Sequence, residues 1–248
     1  CRMNEHGWIV PDWPAPPQVR ALITTRAGGA SRGVYAGLNL GLNSGDDIDA
    51  VAQNRANLRQ WLPAEPLWLR QVHGTSVVDA AAVDATPEAD AAFARRPGTV
   101  CAALTADCLP LLLCDAAGTT VAAVHAGWRG LCAGVIEQAL LAIDLAPQSL
   151  LAYLGPAIGP AAYEVGAEVR DAFVAADPKG DAGSAFVPGK PGKFYADLYA
   201  LARRRLARSG VAQIYGGSYC TYTERERFYS YRRDGATGRM ASLIWMET

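Results

Sequence analysis

Residues 99–125 limit the fold more than any other stretch. TVCAALTADCLPLLLCD (99–115) reads as two apolar strands broken at Thr105–Pro110, and TTVAAVH (119–125) reads as a third, buried strand. Pro110 has no N–H to give to a ladder, so Cys108 is expected in a turn rather than in mid-strand. Gly127 and Gly130 then bracket Trp128 and Arg129. Leu131, Val135, Ile136, Ala139, Leu140 and Ile143 recur at helical spacing and predict one helix over 131–143. His125 therefore ends a strand, and Arg129 falls near a helix N-terminus, where free backbone N–H groups favour an anion.

Further strands are read at 19–26, 67–73, 75–80, 211–217 and 239–246, and 150–160 reads as a strand running into a rigid Gly/Pro turn. Helices are read at 50–61, with Asp47 or Asp49 as N-cap and Pro63 as the stop, at 166–177, and at 195–210, closed by Gly210 at C′. The Ala-, Asp- and Pro-rich residues 81–98 read as an exposed connection. The glycine- and asparagine-rich stretch 27–46 is too long for a simple turn and reads as a lid or a disordered loop. With no repeat and no interdomain linker, the pattern predicts a single α/β (α+β) domain of layered, mixed sheets at 18–248, behind a proline-rich N-terminal arm at 1–17.

The formal net charge is −1, so no bulk attraction to nucleic acid or to acidic membranes is expected. No apolar run reaches the roughly 18 residues of a spanning helix. Met3 reads as the natural start, and the first residues lack the basic and long apolar segments of a secretion signal. The six cysteines follow no framework spacing, which predicts reduced thiols and a cytoplasmic protein. The 23 basic residues comprise 20 Arg and 3 Lys, a bias that suits bidentate contact to phosphate or carboxylate.

His73 in RQVHG, Cys108 in TADCLP and His125 in HAGWRG each lie at or beside the end of an apolar run. Two imidazoles and one thiolate make three zinc ligands with a fourth position open, the count of a catalytic rather than a structural site. The spacings of 35 and 17 residues fit no zinc finger, so any such site is assembled by the fold.

TTRAGGASRGVYAGLNLG, NR (54–55), RQVHG, EADA (88–91), LTADCLPLLL, VAAVHAGWRG, YLGPAIGPAAYEVG, CT (220–221) and FYSYRRDGATGRMASLI occur in order from about residue 24 to residue 244. Together they resemble the bacterial YfiH family, described both as polyphenol oxidases or laccase-domain proteins and as purine nucleoside phosphorylases. Two positions depart from it: Asn43, where relatives often carry His, and Ala161–Ala162, where many carry cysteines. The resemblance implies a layered α-β-β-α sandwich shared with a class of cysteine-dependent toxin deamidases. It matches His73, Cys108 and His125 to the family's zinc ligands. It also implies phosphorolysis of adenosine, inosine, guanosine and S-methyl-5′-thioadenosine, with some adenosine deamination, in a monomer or weak homodimer. The expected partners are thus purine nucleosides and phosphate.

The remaining candidates each keep two readings. Asp107 is a general acid–base group or a turn former; Arg129 is a phosphate anchor or a structural ion pair. Arg26 belongs to the lid or to the loose loop; Tyr229, Tyr231 and Arg232 stack a purine or form an aromatic core. Two other chemistries use the same triad. A His2Cys set also describes a blue-copper centre, so copper binding in vitro and weak phenol oxidation are one alternative. A Cys108 nucleophile with a histidine base is the other, acting as a hydrolase or amidase on a cell-wall precursor peptide.

Overall fold

The computed structural model describes residues 2–83, 85–177, 180 and 182–247. The chain opens with a hairpin of β1 (Arg2–Met3) and β2 (Ile9–Val10), followed by β3 (Val19–Ile23) and helix α1 (Ile48–Arg59). Asp47 caps α1 by accepting the Asp49 and Ala50 N–H groups. The middle of the chain supplies β4 (Val77–Asp79), β5 (Ala91–Ala94), β6 (Cys101–Thr105), β7 (Leu109–Asp115) and β8 (Val121–Ala126). Helices α2 (Trp128–Ala133) and α3 (Val135–Ile143) follow, then β9 (Leu150–Leu154), β10 (Glu164–Gly166) and α4 (Ala167–Ala175). The last part holds β11 (Phe186–Pro188), β12 (Lys193–Ala196), α5 (Leu198–Arg208), β13 (Gln213–Gly216), α6 (Tyr231–Asp234) and β14 (Met240–Met246).

Two large sheets lie face to face. One has the order β1-β2-β3-β14-β6 and the other β13-β9-β7-β8-β5-β4, with a small β10-β12-β11 sheet beside them. Period-2 alternation assigns each side chain to a layer. On β14, Met240, Ile244 and Met246 point between the sheets, while Ala241, Leu243 and Trp245 pack outward with Leu58 of α1. On β7, Leu112 and Cys114 point between the sheets; Leu109, Leu111 and Leu113 pack outward with α3 and α5. The result is an α-β-β-α sandwich of a wholly antiparallel five-stranded sheet and a mixed six-stranded one, in which β4-β5 and β9-β13 run parallel. Among the described residues no helix is long and apolar enough to cross a membrane. Among them the cysteines are free thiols; Cys1 lies outside the described residues.

Three expectations are corrected. Residues 81–98 are not simply an exposed connection, because β5 sits second from the edge of the six-stranded sheet and all four of its residues are buried. Ala91-Ala92-Phe93-Ala94 carries no β-branched residue, and alanine has little strand propensity, so its burial decides the outcome. Residues 67–73 form only isolated bridges at Leu67 and Arg70. Side chains replace a neighbouring strand there: the Gln71 amide donates to Leu104 O and accepts from Leu104 N, both at 2.8 Å. The helix read over 131–143 is two helices, separated at Gly134, whose φ of 102° is open to glycine and costly for other residues.

Pro110 sits inside the central strand β7, which its missing donor argues against. Gly155 N donates to Pro110 O at 2.9 Å, just beyond the end of β9. The return bond to Gly155 O is replaced by the Tyr199 hydroxyl, at 3.1 Å.

Candidate active site

The site lies at one end of the interlayer, where β6 turns into β7 and β8 ends. Cys108 occupies the bend before β7, as Pro110 implies, and His125 is the penultimate residue of β8. His73 comes from the irregular segment before β4 and adopts φ 61°, a left-handed conformation that is uncommon for a side-chain-bearing residue. The donor atoms of His73, Cys108 and His125 all lie within 4.8 Å of one another. Cys108 Sγ is 3.8 Å from His73 Nε2, and the two imidazole centroids are 4.8 Å apart at 76°.

Asp90 holds this group together. Its fully buried carboxylate accepts from Val72 N (3.2 Å), His73 N (2.9 Å) and Gly74 N (2.7 Å), which fixes the left-handed turn at His73. It also accepts from His125 Nδ1 at 2.8 Å. A carboxylate only accepts, so Nδ1 carries the proton and Nε2 is left as the basic nitrogen. Burial would raise the Asp90 carboxyl, but His125 and the backbone N–H groups outweigh it and hold it below the ordinary carboxylate range. Burial likewise pushes the Cys108 thiol up, yet His125 and then His73 bring it down to about 6. Burial lowers His125, and Asp90 with Cys108 reverses this, raising it to about 9. Near neutral pH the basic Nε2 thus takes up a proton as Cys108 loses one, giving a thiolate–imidazolium pair backed by a carboxylate, and a metal ion bound here would displace that proton.

The three residues fit a metal ion. In tetrahedral zinc geometry a sulfur and a nitrogen ligand stand about 3.6 Å apart, close to the Cys108–His73 separation. Gly127 leaves the space: a Cβ there would lie 2.7 Å from His73 Cδ2 and 3.1 Å from Cys108 Sγ. Gly130 lets α2 approach in the same way, since its Cβ would lie 2.7 Å from Gly74 O. Both glycines of HAGWRG therefore serve close packing against the triad.

His73, Cys108 and His125 open into a cavity of about 600 Å³, also lined by Asn43, Arg55, Trp68, Arg70, Gln71, Tyr231 and Arg239. The loop after β3 is neither loose nor free: Asn54 of α1 donates to Ser31 Oγ and Asn39 O, both at 2.9 Å, and accepts from Ala30 N at 2.7 Å. Its residues Gly41–Ser44 form one wall.

The other sequence candidates lie elsewhere. Asp107 is turned to structural work: its carboxylate accepts from Thr221 Oγ1 at 2.6 Å and from Arg232 N at 2.7 Å, and it does not line the cavity. Tyr229 is fully buried and its hydroxyl donates to the carbonyls of Tyr35 and Ala36, so it is core rather than a purine platform. Arg26 lies over the Tyr229 ring and bonds to Ala36 O and Arg225 O, tying loops together. Arg129 is exposed and stacks on Trp128; Arg232 is exposed and lies over Tyr163, and neither lines the cavity. Of this aromatic and arginine-rich segment, Tyr231 does reach the cavity. Sequence reasoning missed Asp90, Arg55 and Arg239. Asp90 and Arg55 stand in the short segments EADA and NR, and Arg239 follows GATG; nothing in those segments says where a side chain points.

This fold and site define a family. The family model described as "Multi-copper polyphenol oxidoreductase laccase" matches residues 20–247. The chain is similar to a protein of Pseudomonas aeruginosa named as a purine nucleoside phosphorylase, with 53% identity over 98% of this chain and 99% of the relative. It is 55% identical to the Escherichia coli protein named Purine nucleoside phosphorylase YfiH, over 96% of this chain and 98% of that one. A solved Neisseria meningitidis structure superposes with a TM-score of 0.93 at 53% identity, over 97% and 99% of the two chains. YlmD from Geobacillus stearothermophilus gives 0.91 at 31% identity, over 100% and 98%. The chain belongs to the YfiH family.

Proposed function

We propose that this protein is a zinc-dependent purine nucleoside phosphorylase. It acts on adenosine, inosine, guanosine and S-methyl-5′-thioadenosine, with adenosine deamination as a side activity. The observation that carries this reading is the convergence of His73, Cys108 and His125 on one cavity, in a chain more than half identical to proteins named for that activity. His73, Cys108 and His125 would hold the metal, which supplies a Lewis acid when bound. Asp90 keeps His125 in the tautomer that presents Nε2 and fixes the turn that carries His73. In phosphorolysis a phosphate oxygen bonds to the ribose C1′ as the C1′–N9 bond breaks. The electron pair leaves with the purine, which then takes up a proton.

Adenosine turnover should yield adenine and ribose 1-phosphate, at a rate that rises and saturates with phosphate. Chromatography of the products at several phosphate concentrations tests this. Free ribose formed at a phosphate-independent rate would make the protein a hydrolase.

One observation favours a second reading. Cys108, His125 and Asp90 are also the nucleophile, base and orienting acid of a cysteine hydrolase, and the thiol is already drawn down to about 6. Metal content separates the two, because a thiolate bound to zinc is a poor nucleophile. Stoichiometric zinc together with phosphate-dependent turnover supports the phosphorylase. Full activity after chelation supports the hydrolase.

A further inference from the structure

We propose that Arg55 and Arg239 form a phosphate-binding subsite in the wall of the active-site cavity. This rests on the phosphorylase reading and deepens it. Both residues line the same cavity as His73, Cys108 and His125. Neither forms an ion pair with a carboxylate among the described residues. Arg55 Nε donates to Leu40 O at 2.9 Å, and its plane lies 4.0 Å from the centre of the Trp68 ring. Arg239 Nη1 donates to Thr237 O (2.7 Å) and Gly238 O (3.0 Å). These contacts leave both Nη atoms of Arg55, and Nε and Nη2 of Arg239, without a protein acceptor among the described residues.

The nearby acids are committed elsewhere. Glu65, which acts on Arg55, accepts from Trp68 Nε1 at 2.6 Å. Asp107, which acts on Arg239 together with Cys108, is held by Thr221 and the Arg232 N–H. Burial lowers both arginines, Arg55 to about 10. Most other arginines at this end of the molecule are paired or exposed: Arg70 pairs with Glu88, Arg233 with Asp234, and Arg129 is exposed.

Arg55 and Arg239 are half-buried, and a charge withdrawn from water is costly unless it is paired and hydrogen-bonded. Two arginines anchored by carbonyls on the wall of one cavity gain that pairing when an oxyanion enters. Their spare N–H groups offer the planar forks that suit phosphate. Asn39 makes the arrangement stiff: its Oδ1 accepts from Arg239 N (2.8 Å) and Gly41 N (3.0 Å), and its Nδ2 donates to Ser44 Oγ and Asp46. The same chemistry can come from inorganic phosphate or from the 5′-phosphate of a nucleotide.

The test measures equilibrium binding of inorganic phosphate by calorimetry at constant ionic strength, alongside the phosphate dependence of adenosine turnover, in zinc-loaded protein. Arg55→Gln and Arg239→Ala should each raise the phosphate Kd and the KM for phosphate by about 30-fold or more. Zinc content should hold, and the KM for adenosine should change far less. Arg55→Lys and Arg239→Lys, which keep the charge, should recover part of the loss and guard against misfolding of the truncated variants. Unchanged phosphate affinity in the folded Arg55 and Arg239 variants would overturn the proposal. So would a phosphate dependence lost in Arg129→Ala alone. If wild-type protein binds phosphate through these arginines but turns over no nucleoside, the subsite stands and the phosphorylase reading falls. If adenosine 5′-monophosphate shows the arginine-dependent binding and inorganic phosphate does not, the subsite stands with the nucleotide as its source.

Discussion

Replacing Asp90 by Asn tests how the site is held. The two carboxylate oxygens accept four bonds: Oδ1 takes His73 N and His125 Nδ1, and Oδ2 takes Val72 N and Gly74 N. An asparagine amide offers one oxygen: with its NH2 group on the Oδ2 side it faces the Val72 and Gly74 N–H donors, and on the Oδ1 side it faces the His73 N–H and turns His125 to the tautomer in which Nδ1 accepts. Each donor left unsatisfied in these part-buried bonds costs about 1–3 kcal/mol, so the substitution costs about 1–6 kcal/mol according to the amide's orientation. For a chain of this size 1 kcal/mol moves the melting temperature by about 2–4 °C. Asp90→Asn should therefore melt roughly 2–20 °C lower in chelator-treated protein. Zinc affinity, measured by competition with a chromophoric chelator, should fall about 10- to 100-fold, as for other groups that orient a metal ligand. The pH dependence has a fixed sign. The folded Asp90 carboxyl lies below its ordinary value, so its stabilisation is present above about pH 4 and is lost as pH falls through the folded value. The gap between wild type and Asp90→Asn should thus be widest near neutrality and shrink in acid. A variant melting within about 1 °C of wild type at pH 7, with unaltered zinc affinity, would refute the role of this carboxylate.

Gly127→Ala should lower zinc affinity by about tenfold or more in a protein that remains folded, because its methyl displaces His73 and Cys108; the same chelator competition reads this. In metal-free protein, Cys108 should react with iodoacetamide at a rate that rises with pH through about 6 and levels off near neutrality, and zinc should suppress the reaction. Cys108→Ala should abolish metal binding and turnover, while Cys114→Ala keeps both, since Cys114 is an inert thiol buried between the sheets. Tyr199→Phe removes the hydroxyl that accepts from Ala157 N and contacts the carbonyls of Gly155 and Tyr219, and should cost about 1–3 kcal/mol in urea unfolding.

How much of this was legible in the sequence depends on where each residue finds its partners. β7, β8 and β14 are long apolar runs whose burial follows from hydrophobicity, and they were read directly. β5 is short and alanine-rich, and nothing local marks it as a strand. Residues 67–73 alternate like a strand, but in place of a ladder the Gln71 side chain pairs with the Leu104 backbone, and the Asp90 carboxylate, distant in sequence, accepts from His73 N. The strand-end position of His125 follows from the apolar run before it. Which arginine faces the cavity does not: Arg129 stands beside the metal-site motif yet points to solvent, whereas Arg55 and Arg239 reach the cavity from α1 and from just before β14. Tyr229 shows the same gap, since an aromatic run in an arginine-rich loop carries no sign that the ring is core.

The copper in the family description can be weighed against the residues available. The chain has three histidines. His6 lies in the N-terminal hairpin, where its ring packs 5.1 Å from Trp8 and 4.4 Å from Trp61, and it does not line the cavity. That leaves two imidazoles and one thiolate at the site, enough for one metal centre. A His2Cys set accepts copper as well as zinc, and copper is the tighter divalent ion for a given nitrogen and sulfur site. Copper-loaded protein is therefore an expected product of copper-rich medium. A single copper centre, however, passes one electron at a time, and reducing dioxygen to water takes four. The extra centres of a multicopper oxidase need imidazoles that this chain does not have. Phenol oxidation by the copper-loaded protein should accordingly be slow and should disappear on exchange with zinc, while phosphate-dependent release of adenine returns with zinc.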